Sequence, residues 1–230
     1  MGFNPSPIEL KPKELRKQNT FKFFSPLCGR EVIVESLVEY IVWLSFEFDR
    51  NVKVLCERPA KLEGRVDGKE KSYRPDLFVR TQDNEETLVE CKKHEDLIEV
   101  EPDVWQPKRW DTMSTLAEQI SLPLRLVVDS DFVPLSTAVN NWREALPFAA
   151  DESQRPRHAL RQYIQRQFEM MPTQTLGELA ANTADWEADE VHSAALWWAH
   201  QGPLDLEWNA APLGRDTVLR KYSDFDWCRV

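Results

Sequence analysis

Two short runs carry residues suited to opening a phosphodiester: Tyr73-Arg74-Pro75-Asp76-Leu77-Phe78-Val79 and Leu88-Val89-Glu90-Cys91-Lys92. That hydrolysis needs an activated water and stabilisation of charge on the phosphate and on the leaving oxygen. A hard divalent cation supplies both and prefers carboxylate oxygens, with water filling its other positions. Thirteen residues separate Asp76 from Glu90, enough for a turn that returns the chain beside itself. Glu90 and Lys92 are two apart, so on a strand they share a face. The two acids would hold the metal, and the Lys92 ammonium would orient the water or neutralise developing charge. Each run also has a plainer reading. Pro-Asp is a common turn pair, and E-x-K on a strand is often a solvated face with a cross-strand ion pair.

A third carboxylate lies upstream in Glu35-Ser36-Leu37-Val38-Glu39-Tyr40, where Glu35 and Glu39 share a helix face. Ser36-x-x-Glu39 also fits a capping box, which would commit Glu39 to the helix start. A carboxylate engaged on a backbone N–H is less free to bind metal.

The elements that must position these groups follow from periodicity. Leu37, Val38, Ile41, Val42, Leu44 and Phe48 recur at helical spacing over residues 34–48. Strands are expected at 52–56, 61–66, 73–80 and 87–92, with Asp67-Gly68 as a hairpin turn and 82–86 as the next connection. A tryptophan-rich helix around 105–120 should end before Pro123 and lead into a buried strand at 124–129. Helix, antiparallel strands, helix and strand make an α/β unit with a mixed sheet. Pro147 to Pro156 reads as a linker. Beyond it, helices at 157–168, 175–181 and 186–201 and two short strands at 204–208 and 217–222 describe a small winged-helix-like domain.

Composition bounds the alternatives. Hydrophobic residues make up 42% of the 230 and charged residues 30%, an ordinary globular balance. No apolar run approaches a membrane span, and no secretory signal stands at the start. Cys28, Cys56, Cys91 and Cys228 form no CxxC pair, so free thiols and a cytoplasmic location are expected. A net charge of −10 disfavours coating of nucleic acid by bulk electrostatics. It does not disfavour a carboxylate-built metal site, because the bound cation changes the local sign. Residues 1–19 read as a basic arm (Lys11, Lys13, Arg16, Lys17) or as an untidy terminus.

Taken in order, Glu35-Ser36-Leu37-Val38-Glu39, Phe46 to Val52, Cys56-Glu57-Arg58-Pro59, Tyr73 to Val79 and Leu88 to Lys92 resemble the TnsA endonuclease family of heteromeric Tn-seven-type transposons, within the PD-(D/E)xK class. The resemblance covers about residues 20–135. It implies a restriction-endonuclease-like nuclease domain over 20–146, a linker over 147–156 and a winged-helix-like domain over 157–230. By the same resemblance Glu39, Asp76, Glu90 and Lys92 are catalytic, and Glu39, Asp76 and Glu90 hold Mg2+, with Mn2+ as a substitute. The implied activity is cleavage of the 5′ strands at transposon ends. The implied partners are double-stranded DNA, a TnsB-like DDE transposase and a TnsC-like AAA+ ATPase, with no membrane. Where the family pattern has v-K-P, this chain has Lys92-Lys93-His94, which leaves Lys93 as a fallback for the lysine.

Arg74, Lys108 and Arg109 are candidate phosphate contacts near the predicted catalytic edge, and surface solvation accounts for them equally well. His94 suits a loop position beside that edge. In the third C-terminal helix the apolar stripe leaves Trp197 as an expected exposed anchor for a protein partner. A stand-alone restriction or repair nuclease and a non-cutting adaptor on the same fold are the alternatives.

Overall fold

The computed structural model describes residues 3–10 and 19–222. In chain order the elements are β1 (Phe21–Ser25), β2 (Arg30–Val34), α1 (Leu37–Glu47), β3 (Val52–Glu57), β4 (Leu62–Val66), β5 (Lys69–Tyr73), β6 (Leu77–Thr81), β7 (Glu86–Lys92), β8 (Ile98–Glu101), β9 (Val104–Gln106), α2 (Trp110–Glu118), β10 (Leu124–Val128), α3 (Ser136–Gln154), α4 (His158–Met170), β11 (Thr173–Thr175), α5 (Leu176–Ala181), α6 (Ala188–Gln201), β12 (Leu204–Leu206) and β13 (Val218–Lys221). They form two compact units. The first is Met1–Phe23, Glu31–Phe46 and Asn51–Pro134; the second is Phe24–Arg30, Glu47–Arg50 and Leu135–Val230.

The first unit is built on a four-stranded mixed sheet in the order β10-β7-β6-β3. β3 and β7 each run antiparallel to β6 between them, and β10 lies parallel to β7. A parallel neighbour needs a crossover, and α2 lies between β7 and β10 in the chain. Leu116 and Ala117 of α2 join Cys56, Leu62, Phe78, Leu88 and Leu122 in one buried cluster. Asp67 and Gly68 take positive φ of 52° and 73°, the geometry of a tight two-residue hairpin, and join β4 to β5. Gly64 on β4 runs close under α2: a Cβ there would overlap the Gln119 side chain.

Several expectations are corrected here. The 105–120 helix begins only at Trp110, since Pro107 interrupts it and Trp105 belongs to the β8–β9 hairpin. The single strand expected at 73–80 is divided at Pro75, with Tyr73 closing β5 and Leu77 opening β6. Residues 3–8 are tied down rather than an extended arm. Phe3 packs on Phe78, and the Ser6 and Ile8 N–H groups donate to the Pro59 and Arg58 carbonyls. Lys11, Lys13, Arg16 and Lys17 lie outside the described residues.

In the second unit α6 is the central helix, packed by α3, α4, α5 and β12, beside a three-stranded antiparallel sheet ordered β11-β13-β12. Residues 147–154 are not a linker: α3 runs unbroken through Pro147. Ala138, Trp142, Ala145, Ala149 and Glu152 keep one buried face in register across the proline, and that packing outweighs its missing N–H. Buried Asn141 pins the 208–213 segment onto this helix by donating to the Trp208 and Ala211 carbonyls and accepting from the Leu213 N–H. Trp197 is also corrected. It is only 7% exposed, with the Arg161 guanidinium 3.4 Å above its ring, because α6 is buried on every side rather than along one stripe. Among the described residues no helix is long and apolar enough to cross a membrane.

Candidate functional site

The sheet register assembles the site. β6 and β7 pair Leu77 with Val89, so Asp76, one residue before β6, comes opposite Glu90. The Cys91 N–H donates to Asp76 Oδ2 at 2.8 Å, which fixes that carboxylate against the neighbouring strand. Strand alternation puts Lys92 on the Glu90 side. Its ammonium forms an ion pair with Glu90 Oε1, donates to the Cys91 carbonyl at 3.2 Å and lies 3.8 Å from Asp76 Oδ2. The second oxygen of Glu90, Oε2, accepts from the Tyr73 hydroxyl at 2.6 Å.

The electrostatics are those of crowded acids. Asp76 keeps 22% of its side-chain surface accessible, yet it is enclosed by other groups. Desolvation, followed by the charges of Glu90 and Glu39, pushes its carboxyl well above the usual range. Burial would depress the Lys92 ammonium, but Asp76 and Glu90 more than offset this and hold it above its ordinary value. Desolvation, then Glu90, pushes the Tyr73 phenol up, so it remains a proton donor.

Glu39 is engaged at the start of α1. Its Oε2 accepts from the Glu35 N–H at 2.9 Å, and its Oε1 accepts from the Ser36 hydroxyl at 2.9 Å. Ser36 Oγ in turn accepts from the Glu39 N–H at 3.1 Å. Both oxygens thus serve the start of α1 in a variant of the capping box. Burial raises the Glu39 carboxyl against these hydrogen bonds. Its charge reaches Asp76. Among the described residues no group of three or more His, Cys, Asp or Glu side chains is arranged as a ligand set.

The donors that do converge suit a hard cation. Asp76 Oδ2, Glu90 Oε1 and the Cys91 carbonyl oxygen surround one point, where the Lys92 ammonium is the positive charge. Two carboxylates and a carbonyl, with water completing the shell, match the limited protein ligation that Mg2+ accepts. Their thiol- and imidazole-free chemistry does not match Zn2+.

Tyr73, Arg74, Glu90, Lys92, Lys108 and Arg109 line a cleft of about 660 Å³. Arg74 reaches Glu35 at 3.3 Å, and Arg109 donates to the Ser72 carbonyl at 3.2 Å. All three cations singled out from the sequence therefore border the site. Lys93 does not: it pairs with Glu95 at 3.0 Å and lines a separate shallow hollow with His94. His94 lies against Trp105. Two participants carried no assigned role in the sequence reading. Tyr73 stands inside the Y-x-P-D run, so its position was visible but its bond to Glu90 was not. Arg58, 4% exposed, donates to the Ile33 and Ile8 carbonyls and places a buried positive charge that partly opposes the rise that burial imposes on the Glu39 carboxyl.

No family model matches the chain, and no curated protein matches it significantly in sequence.

Proposed function

We propose that the protein is a Mg2+-dependent DNA endonuclease. The observation that carries this reading is the convergence of Asp76, Glu90 and Cys91 oxygens on the Lys92 ammonium, beside a cleft lined by Glu90, Lys92, Arg74, Lys108 and Arg109. When bound, the cation would polarise the scissile phosphate and acidify a coordinated water. Asp76, Glu90 and the Cys91 carbonyl would hold it. Lys92 stays protonated beside two carboxylates, so it acts through charge and orientation on the phosphate oxygens rather than as a base. Arg74, Lys108 and Arg109 place cations where a polyanionic backbone would run. Glu39, at the helix start, adds its negative charge to the field on Asp76 and is the third carboxylate of the site.

The order of β3, β6, β7, α2 and β10 supports a restriction-endonuclease-like core. The succession α4, β11, α5, α6, β12 and β13 supports a winged-helix-like second unit. With the ordered motifs from Glu35 to Lys92, these favour cleavage of the 5′ strands at transposon ends in the cytoplasm, together with a TnsB-like transposase and a TnsC-like ATPase. The test is cleavage of 5′-labelled transposon-end duplex in Mg2+ or EDTA, with and without those partners, for the full chain and Asp76→Asn. Mg2+-dependent 5′ nicking lost in Asp76→Asn is expected. Efficient cutting of unrelated duplex without partners would favour a stand-alone nuclease. Equal cutting by Asp76→Asn, or no cutting under any condition, would overturn the assignment.

A further inference from the structure

Glu90 is held at both ends, and its two partners differ in kind. Lys92 is a flexible cation that shares itself among Glu90 Oε1, Asp76 Oδ2 and the Cys91 carbonyl. Tyr73 is rigid by comparison. Its ring packs against the buried cluster that contains Phe78, Leu88 and Leu116, and only its hydroxyl reaches the carboxylate, at 2.6 Å. A carboxylate fixed through one oxygen by an immobile donor cannot turn about its terminal bond, so the other oxygen keeps its direction whichever cation it meets. Glu90 itself is 4% exposed and has little water to reorient it. Lys92 must yield room when a divalent cation enters; Tyr73 need not move.

We propose that Tyr73 is a positioning residue: its hydroxyl locks Glu90 Oε2 and thereby aims Glu90 Oε1 at the cation site in the cleft. This rests on the nuclease reading above. Outer partners of metal-ligating carboxylates act in this way, and their loss typically costs about 10–100-fold in metal affinity or activity. The phenol does not take part as a base, because burial and Glu90 keep its proton in place. Phenylalanine would preserve the packing of the ring and remove only the donor.

The experiment compares the full chain with Tyr73→Phe in three measurements: Mn2+ binding by calorimetry without DNA, the Mg2+ concentration for half-maximal cleavage, and thermal unfolding. Mn2+ affinity should fall about ten-fold. The half-maximal Mg2+ concentration should rise by a similar factor, with cleavage at saturating Mg2+ much less affected and the melting temperature nearly unchanged. In a Glu90→Gln background, adding Tyr73→Phe should cost no further Mn2+ affinity. Wild-type Mn2+ affinity in Tyr73→Phe, alongside a cutting wild-type enzyme, overturns this inference and leaves the nuclease reading standing. A wild-type protein that neither binds Mn2+ nor cuts overturns both.

Discussion

Two buried clusters of acids and bases, one in each unit, are arranged to opposite ends. In the first unit Asp76 and Glu90 share one ammonium, Lys92, and the charge of Glu39 adds to the crowding. In the second, Glu152 is fully buried. It accepts from the Arg157 N–H and guanidinium at 2.8 Å and from Arg161 at 2.6 Å, while Arg157 also reaches Asp151 and Glu190. One cluster is short of positive charge and opens on a cleft; the other is closed and its central carboxylate is fully partnered. Burial alone therefore does not separate a candidate site from a structural cluster. The difference is whether the group's needs are met inside the fold or left for something that arrives.

Removing one carboxylate from each cluster should make the contrast measurable. Glu152→Ala removes the buried acceptor shared by the Arg161 guanidinium and the Arg157 N–H and should lower unfolding stability by about 3–5 kcal/mol in denaturant titration. Asp76→Asn relieves like-charge repulsion and should leave stability equal or higher, while cleavage falls by about 10²–10³-fold or more. A large stability loss in Asp76→Asn would erase the distinction.

Acid should act on the two units in opposite senses. The Asp76 carboxyl is raised, so its stabilising contribution belongs to the protonated form and is lost as pH rises from the ordinary carboxylate range through its higher value. Glu47, at the end of α1, is buried with the Ser25 hydroxyl at 2.6 Å and His200 Nε2 at 2.9 Å. Burial would raise it, but His200, Ser25 and the Leu27 N–H hold it below its usual value. Its contribution is present above the ordinary range and fades as pH falls through the lowered value. In melting curves across pH, the advantage of Asp76→Asn over wild type should open as pH rises. The deficit of Glu47→Gln should narrow as pH falls. Parallel curves in either case would contradict the assignment of that group.

The smallest effect sharpens the role of Glu39. Ser36→Ala removes a hydroxyl that both accepts from the Glu39 N–H and donates to its carboxylate, and should cost about 1 kcal/mol of stability. Glu39→Gln keeps an acceptor for the Glu35 N–H and should reduce cutting less than Asp76→Asn does. An equal loss would mark Glu39 as a direct metal ligand.

The site hairpin was legible because its cues are local. Asp67-Gly68 demands the turn from β4 to the strand that ends at Tyr73, and alternation around Val89 and Cys91 fixes which side Glu90 and Lys92 share. What escaped depended on partners distant in sequence. Pro147 looks like a break until Ala145 and Ala149 are seen packing on either side of it. Trp197 looks exposed on a helical wheel, which has no place for Arg161 above the ring. Glu39 fitted two roles in the sequence, and what the sequence did not show was that its two oxygens accept from the Glu35 N–H and the Ser36 hydroxyl. The β8–β9 hairpin was lost because Trp105 and Trp110 suggested one helix, although Pro107 stands between them.

The assignment of residues 24–30 and 47–50 to the second unit has a consequence for biosynthesis. Glu47 and Phe48 leave the ribosome well before His200 and Trp208, the residues they bond and stack with. The second unit therefore cannot close until both segments are made, and a buried carboxylate must wait for its histidine while residues 48–200 are synthesised. Its parts come from segments far apart in the sequence, so a cut at any single codon near the boundary at 134 leaves the downstream piece without Glu47 and Phe48. Fusion, splitting or domain exchange at that boundary would have to carry the short upstream segments along.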